Sequence, residues 1–203
     1  MTSRCLALTA ALSLIIPIDA IAASQNATDV PGGHYGLDKR HSSLTASVNH
    51  MGVSLYTVRF DSFDASFDYD PAHMEAVRLK ATVDPASLDN NAPGSQQNSK
   101  SFAEEFLSAS KFPQITFVST SFQRTGDAVG TLTGDMTFLG VTKPVSFQVT
   151  FIGTGHELLN PLGRVAGFSA VAHIKRSDFG STYLNNLVGD DVTVDVEGEF
   201  DRR

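Results

Sequence analysis

The chain contains no tryptophan, a single cysteine and, beyond its N-terminus, no long apolar run. Cys5 sits in a leading segment where Arg4 precedes an apolar stretch from Leu6 to Ile18 and then Ala20-Ile21-Ala22-Ala23. A positive start, a short apolar core and small residues before the cut describe a secretory signal peptide, with cleavage after Ala22 or Ala23. The run is too short to span a bilayer, Pro17 interrupts it, and Cys5 lacks the small-residue pattern of a lipoprotein signal. Residues 1–22 are thus expected to be removed. Residues 23–203 form one exported, periplasmic domain without thiol or disulfide, whose stability must come from its core.

Basic residues are also few. Fifteen Lys and Arg stand against 22 Asp and Glu, a formal charge of -7. That balance argues against nucleic-acid or anionic-membrane surfaces, which favour basic patches. Catalytic and metal motifs are missing too. His34, His41, His50, His73, His156 and His173 are scattered, with no His-x-His and no His-Glu-x-x-His. There is no Gly-x-Ser-x-Gly elbow. Asp61, Asp64, Asp68 and Asp70 match no calcium loop and read as a solvated strand face. No catalytic residue, metal or cofactor is predicted.

What the chain has is alternation. Leu132, Met136 and Phe138 share one parity; after Gly140-Val-Thr-Lys-Pro144, Val145, Phe147, Val149 and Phe151 share another. Period two with one apolar face predicts an antiparallel hairpin, its turn punctuated by Gly140 and Pro144. Strand patterns recur at residues 34–50 (Leu44, Ala46, Val48 and His50 on one face), 77–83, 114–122, 165–175 and 192–196. Between residues 53 and 69 the phase flips at Asp61-Ser62, which requires a bulge or bend. Residues 84–100 read as a long polar loop. Phe102, Phe106 and Leu107 then fall at helical spacing, predicting one helix over about 99–109 with Ser101 as a cap and Glu104 and Glu105 in its first turns. Many even strands with one helix indicate an all-β barrel or sandwich. Fourteen phenylalanines, mostly on the apolar parities, suit a packed core or a barrel of about eight strands, wide enough for side chains or one small ligand.

Several motifs resemble those of the YceI-like family of periplasmic polyisoprenoid-binding proteins. They are Tyr-Gly-Leu-Asp-Lys-Arg-His-Ser (35–42), Val-Asn-His-Met-Gly-Val-Ser (48–54), Phe-Asp-Tyr-Asp-Pro (67–71) and Lys-Phe-Pro-Gln-Ile-Thr-Phe-Val-Ser-Thr (111–120). Gly-Thr-Leu-Thr-Gly (130–134) with Gly-Val-Thr-Lys-Pro-Val (140–145), Ile-Lys-Arg-Ser-Asp-Phe-Gly (174–180) and Val-Gly-Asp-Asp-Val (188–192) complete the set. Many relatives carry Arg-Asp and then His-Leu before the helix; this chain reads Gly94-Ser-Gln-Gln-Asn-Ser-Lys-Ser-Phe102 instead, so a role for that pair does not transfer.

The resemblance implies an elongated eight-stranded antiparallel lipocalin-like barrel, with one short helix, holding a polyisoprenoid or isoprenoid quinone as its ligand. Phe60, Phe63, Phe67, Phe106, Phe117, Phe138, Phe147, Phe151 and Phe168 would line the tunnel, and Ala46, Gly134, Ala166, Ala170 and Ala172 would leave room beside them. His50, Lys143 and Arg176 are the candidates for the head group, a phosphate or a quinone carbonyl. Burial gives about 0.8 kcal/mol per methylene, so roughly 3 to 4 kcal/mol per isoprene unit. Four units would offset an association cost on the order of 4 to 15 kcal/mol. The scarcity of cations favours a neutral quinone-like head. A carrier of this kind is compatible with transient contact to a membrane or membrane protein. Two other classes stay open: an enzyme acting on prenyl lipids, and a stress-response or interaction domain whose barrel is filled by its own side chains.

Overall fold

The computed structural model describes residues 23–90, 96–157 and 163–203; the expected signal segment lies outside them. Eleven strands form a single sheet. They are β1 (Gly33–Leu37), β2 (Ser43–His50), β3 (Ser54–Phe60), β4 (Phe63–Tyr69), β5 (Arg78–Val83), β6 (Leu88–Asp89), β7 (Ile115–Arg124), β8 (Val129–Phe138), β9 (Val141–His156), β10 (Arg164–Lys175) and β11 (Val188–Arg202). The helix α1 (Gln96–Leu107) lies between β6 and β7. All the pairings are antiparallel, and β1 meets β11 at Leu37↔Phe200, which closes the sheet. Two staves are bent in the middle: β1 runs into β2, and β3 into β4. Counted as staves, with β6 an extra piece beside β3, the barrel has eight strands.

Both bends have a chemical cause. At Asp61-Ser62 the apolar parity changes, and the break is held by Asp61 N–H donating to the Ser87 carbonyl and Asp84 N–H to the Ser62 carbonyl. Residues 38–42, read from sequence inside one continuous strand, turn around the buried carboxylate of Asp38. It accepts from the Arg40 backbone N–H (2.9 Å), from Arg40 Nε and Nη2 (3.1 and 2.9 Å), and it pairs with His41 Nδ1 (2.9 Å). The Arg40 guanidinium, more than any other group, holds this carboxyl well below the usual carboxylate range.

The central hairpin turns more tightly than its sequence suggests. Leu139 and Gly140 both have positive φ (50° and 75°), and β9 pairs with β8 from Val141 onward. This two-residue geometry matches strand twist. A Cβ on Gly140 would lie 2.7 Å from the Phe112 ring, so the turn also needs glycine for that approach. Pro144 is therefore inside a strand rather than in the turn. It is tolerated because β10 joins β9 only from Phe147, which leaves Pro144 on a free edge. Two strands exceed their expected lengths: β9 reaches His156, and β11 begins at Val188.

On its second side β3 meets only β6, at Phe60↔Leu88 and Arg59↔Asp89. The helix α1 covers this side, burying Ala103 in a cluster with Leu44, Phe60, Leu88 and Ala109. It starts at Gln96, earlier than expected, because its first turn is polar and carries no apolar period. Ser101 is thus inside the helix and Glu104 is near its end, where its carboxylate accepts from Ser110 N–H and Oγ. Ser108, at φ 46°, closes the helix with its N–H on the Glu104 carbonyl.

Asp38→Asn is expected to destabilise the fold by about 1–3 kcal/mol, since it removes charge-assisted bonds from a buried acceptor. The carboxyl's depressed pKa makes its contribution complete above the unfolded value of about 3.9 and lost as pH falls through the lower folded value. Urea melts of wild type and variant between neutral and acid pH should therefore converge below about pH 4; parallel curves would refute the assignment.

Candidate ligand cavity

Inward-facing positions on the staves enclose a cavity of about 450 Å³. Its wall is apolar by strand parity: Leu44, Ala46, Val48 and His50 from β2, Tyr56, Val58 and Phe60 from β3, Val192, Val194 and Val196 from β11. The far end is shut by packed rings. Phe67 stacks on Tyr35 (centroids 4.9 Å, 4° apart) and meets Phe200 edge-on at 5.1 Å and Phe168 at 5.8 Å. Tyr35 is fully buried, its hydroxyl donating to the Pro31 carbonyl at 2.7 Å, and burial raises its pKa. The near end is bordered by the β2–β3 turn, α1 and the segment between β10 and β11. Here one aromatic contact follows another. His50 lies 6.2 Å from Tyr56, Tyr56 is 5.8 Å from Phe102, Phe102 is 5.4 Å from Phe106, and Phe106 meets Tyr183 edge-on at 4.9 Å.

Of the phenylalanines expected in the tunnel, Phe60, Phe63, Phe67, Phe106, Phe117, Phe138, Phe147 and Phe168 border this cavity. Phe151 does not. It lies behind Phe168 (5.6 Å) in the buried cluster with Tyr35 and Ala166, beside a separate hollow of about 80 Å³. A register shift at Gly167/Phe168, between β9 and β10, accompanies this placement. Among the small residues, Ala46 and Ala170 open onto the cavity. Gly134 instead makes room for a ring: a Cβ there would stand 2.5 Å from Phe117 and 2.4 Å from the Val118 carbonyl. Ala166 and Ala172 are buried in the wall.

The three head-group candidates separate. His50 is exposed at the near end and borders the cavity. Lys143 is exposed on β9 opposite Met136 and does not border it. Arg176 does border it, but its guanidinium is committed elsewhere. Nε donates to Gly189 O (2.9 Å), Nη1 to Tyr183 O (2.8 Å) and Ser181 O (3.3 Å), and Nη2 to Val188 O (2.9 Å). Arginine's planar fork suits this fan of carbonyls, and the result is a clasp holding residues 181–189 against the barrel end. Sequence reading missed Tyr56 and Phe102 as wall residues and Tyr183 as the ring packed on Phe106. Tyr56 shares the parity of Phe60 and Phe102 precedes Phe106 by one helical turn, so both carried a signal; Tyr183 lies in an irregular segment and carried none.

Asp38, His41 and Glu199 bring ligand atoms within 4.8 Å of one another, although the histidines are scattered in sequence. Both Asp38 oxygens already accept from Arg40 or pair with His41, so the group serves the bend.

Residues 35–200 match the model of the YceI-like domain. The chain belongs to this family. A UPF0312 protein of Pseudomonas putida is 36% identical over 148 residues, 72% of this chain and 75% of that protein. One from Vibrio cholerae is 35% identical over 158 residues, 78% and 82% of the two chains. Among solved structures, BcnA of Burkholderia cenocepacia superposes with a TM-score of 0.68 at 26% identity, covering 80% of this chain and 98% of BcnA. A polyisoprenoid-binding domain from Saccharophagus degradans shares the fold, with a TM-score of 0.63 at 14% identity over 83% of this chain and 98% of that one. This YceI-like barrel therefore shares the architecture of those solved structures.

Replacing Arg176 by lysine should cost about 2–3 kcal/mol in urea denaturation, because one ammonium cannot serve four carbonyls spread around a planar fork. Lys143→Ala should stay within about 0.5 kcal/mol of wild type, as surface changes do. Equal effects of the two would refute the clasp.

Proposed function

We propose that this YceI-like protein is a binding or carrier protein that holds a long-chain isoprenoid, a polyprenyl lipid or isoprenoid quinone, in its barrel. The observation that carries it is the cavity itself: apolar side chains line it from the near end to the Phe67–Phe168–Phe200 plug. An apolar occupant would take this wall out of contact with water, whereas a barrel filled by its own side chains would have no such space. The family and the polyisoprenoid-binding neighbour support the ligand class.

A tail longer than the cavity would continue out through the near end. The head group would sit there too, beside His50; with the Arg176 guanidinium bonded to backbone and the chain acidic, a neutral quinone-like head fits better than a phosphate. We place the protein in the periplasm on the pattern of residues 1–22, and read it as a binder rather than an enzyme.

Protein purified from its native source should yield one prenyl lipid or quinone per chain on mass spectrometry of an organic extract. Ala170→Phe, which fills the cavity from its wall, should keep the circular dichroism of the fold and lose most of the extracted lipid. An empty wild-type extract with no uptake of added isoprenoids would overturn the proposal.

A further inference from the structure

Among the described residues nine large apolar side chains are exposed, and six of them are together. Met51 (59% exposed), Val53 (84%) and Leu55 (72%) lie on the β2–β3 turn and the start of β3; Tyr183 (39%), Leu184 (42%) and Leu187 (44%) lie between β10 and β11. The two segments are neighbours, since Met51 N–H donates to the Leu187 carbonyl at 2.7 Å and His50 pairs with Val188. Both belong to the near end of the cavity: His50, Leu184 and Val188 also form its wall. Solvent exposure and cavity lining are thus one continuous apolar surface.

Backbone geometry presents these side chains at a conformational cost. Met51 and Leu184 take φ of 57° and 50°, a region that bulky residues other than glycine seldom occupy. Strain of this kind persists where surrounding bonds fix it. At Met51 those bonds include Val53 N–H to the His50 carbonyl and Gly52 N–H to Asn49 Oδ1. Around Leu184 the Arg176 clasp holds the carbonyls of Tyr183 and Val188.

We propose that this rim docks the protein on the surface of a lipid bilayer, its near end facing the membrane, so that an apolar cargo passes between bilayer and cavity without crossing water. The inference rests on the isoprenoid-binding reading. A bilayer suits the surface better than a charged partner does. Charged groups beside the rim are occupied with one another or with the fold: Lys175 with Asp191 (2.7 Å) and Asp190 (3.9 Å), Arg176 with four carbonyls, Glu105 with the Tyr183 hydroxyl. With a net charge of -7, attraction to anionic lipid is not the driving force. Apolar insertion at the interface is, and a rim of two aligned turns supports shallow, reversible binding.

The test uses the full mature chain and two readouts. Flotation with phosphatidylcholine vesicles free of prenyl lipid reads docking. Uptake of a prenyl alcohol delivered from detergent micelles reads the cavity. Val53→Asp with Leu187→Asp alters two rim side chains that do not border the cavity. Wild type is expected to float, insensitively to salt, and the double variant to bind vesicles about tenfold or more weakly, with micellar uptake unchanged. Its extraction of prenyl lipid from vesicles should slow in the same proportion. Wild type that takes up the prenyl alcohol but does not float overturns the docking and spares the isoprenoid reading; so does flotation unaffected by the two aspartates. A concentration-dependent dimer that those aspartates dissociate, without flotation, assigns the rim to a second copy of the chain and also overturns it. Failure of micellar uptake by wild type counts against the cavity reading, whatever the vesicles show.

Discussion

Everything at the near end of this barrel depends on one constraint: a closed sheet of eight staves leaves an interior to be filled, and the side chains fill only the far end. At that end Tyr35, Phe67, Phe151, Phe168 and Phe200 pack ring on ring, with Val30 and Ala166 fully or nearly buried among them. Toward the other end valines, alanines and leucines alternate with rings such as Tyr56, Phe60, Phe102 and Phe106, and these side chains leave space between them across the barrel. The cavity is what remains between them.

Keeping such a space open requires that the wall not fall inward, and the structure shows how this is done. The ladder runs round the sheet, and polar groups brace its two bent staves, at Asp38 with Arg40 and at Ser62 with Ser87 and Asp84. Where β3 meets only a two-residue strand, α1 takes over and lays Phe102 and Phe106 against Tyr56 and Tyr183. Where the chain crosses the near end irregularly, Arg176 gathers four carbonyls of that crossing. The charged residues of the acidic run stay outside, Asp64 with Lys39, Asp68 with His34, Asp61 with Arg59 and Asp70 with His73.

Much of the fold was legible because period-two alternation states which side chains face inward, and inward faces are what a barrel is made of. Leu44 to His50 and Tyr56 to Phe60 line the cavity as their parity requires. The phase change at Asp61-Ser62 is a real break. Boundaries failed where pattern is silent: the polar first turn of α1, the ends of β9 and β11, and Pro144, whose place on a free edge depends on how far β10 reaches.

For the site, the sequence by itself determined the composition of the wall: an apolar inner face rich in phenylalanine, in a chain poor in cations and catalytic groupings. Tertiary structure alone decided which of those side chains plug the barrel and which border space. Phe151 on β9 and Phe168 on β10 each lie on the apolar parity of their own strand, yet only Phe168 reaches the cavity. It also decided that Arg176 is a clasp rather than a receptor for a head group, because its carbonyl partners, up to thirteen residues away, converge only when the crossing segment is folded back. Parity is local, fixed by the backbone of one strand. Depth within the barrel and the partner of a cation are set by closure of the sheet, which brings together residues that no spacing in the sequence relates.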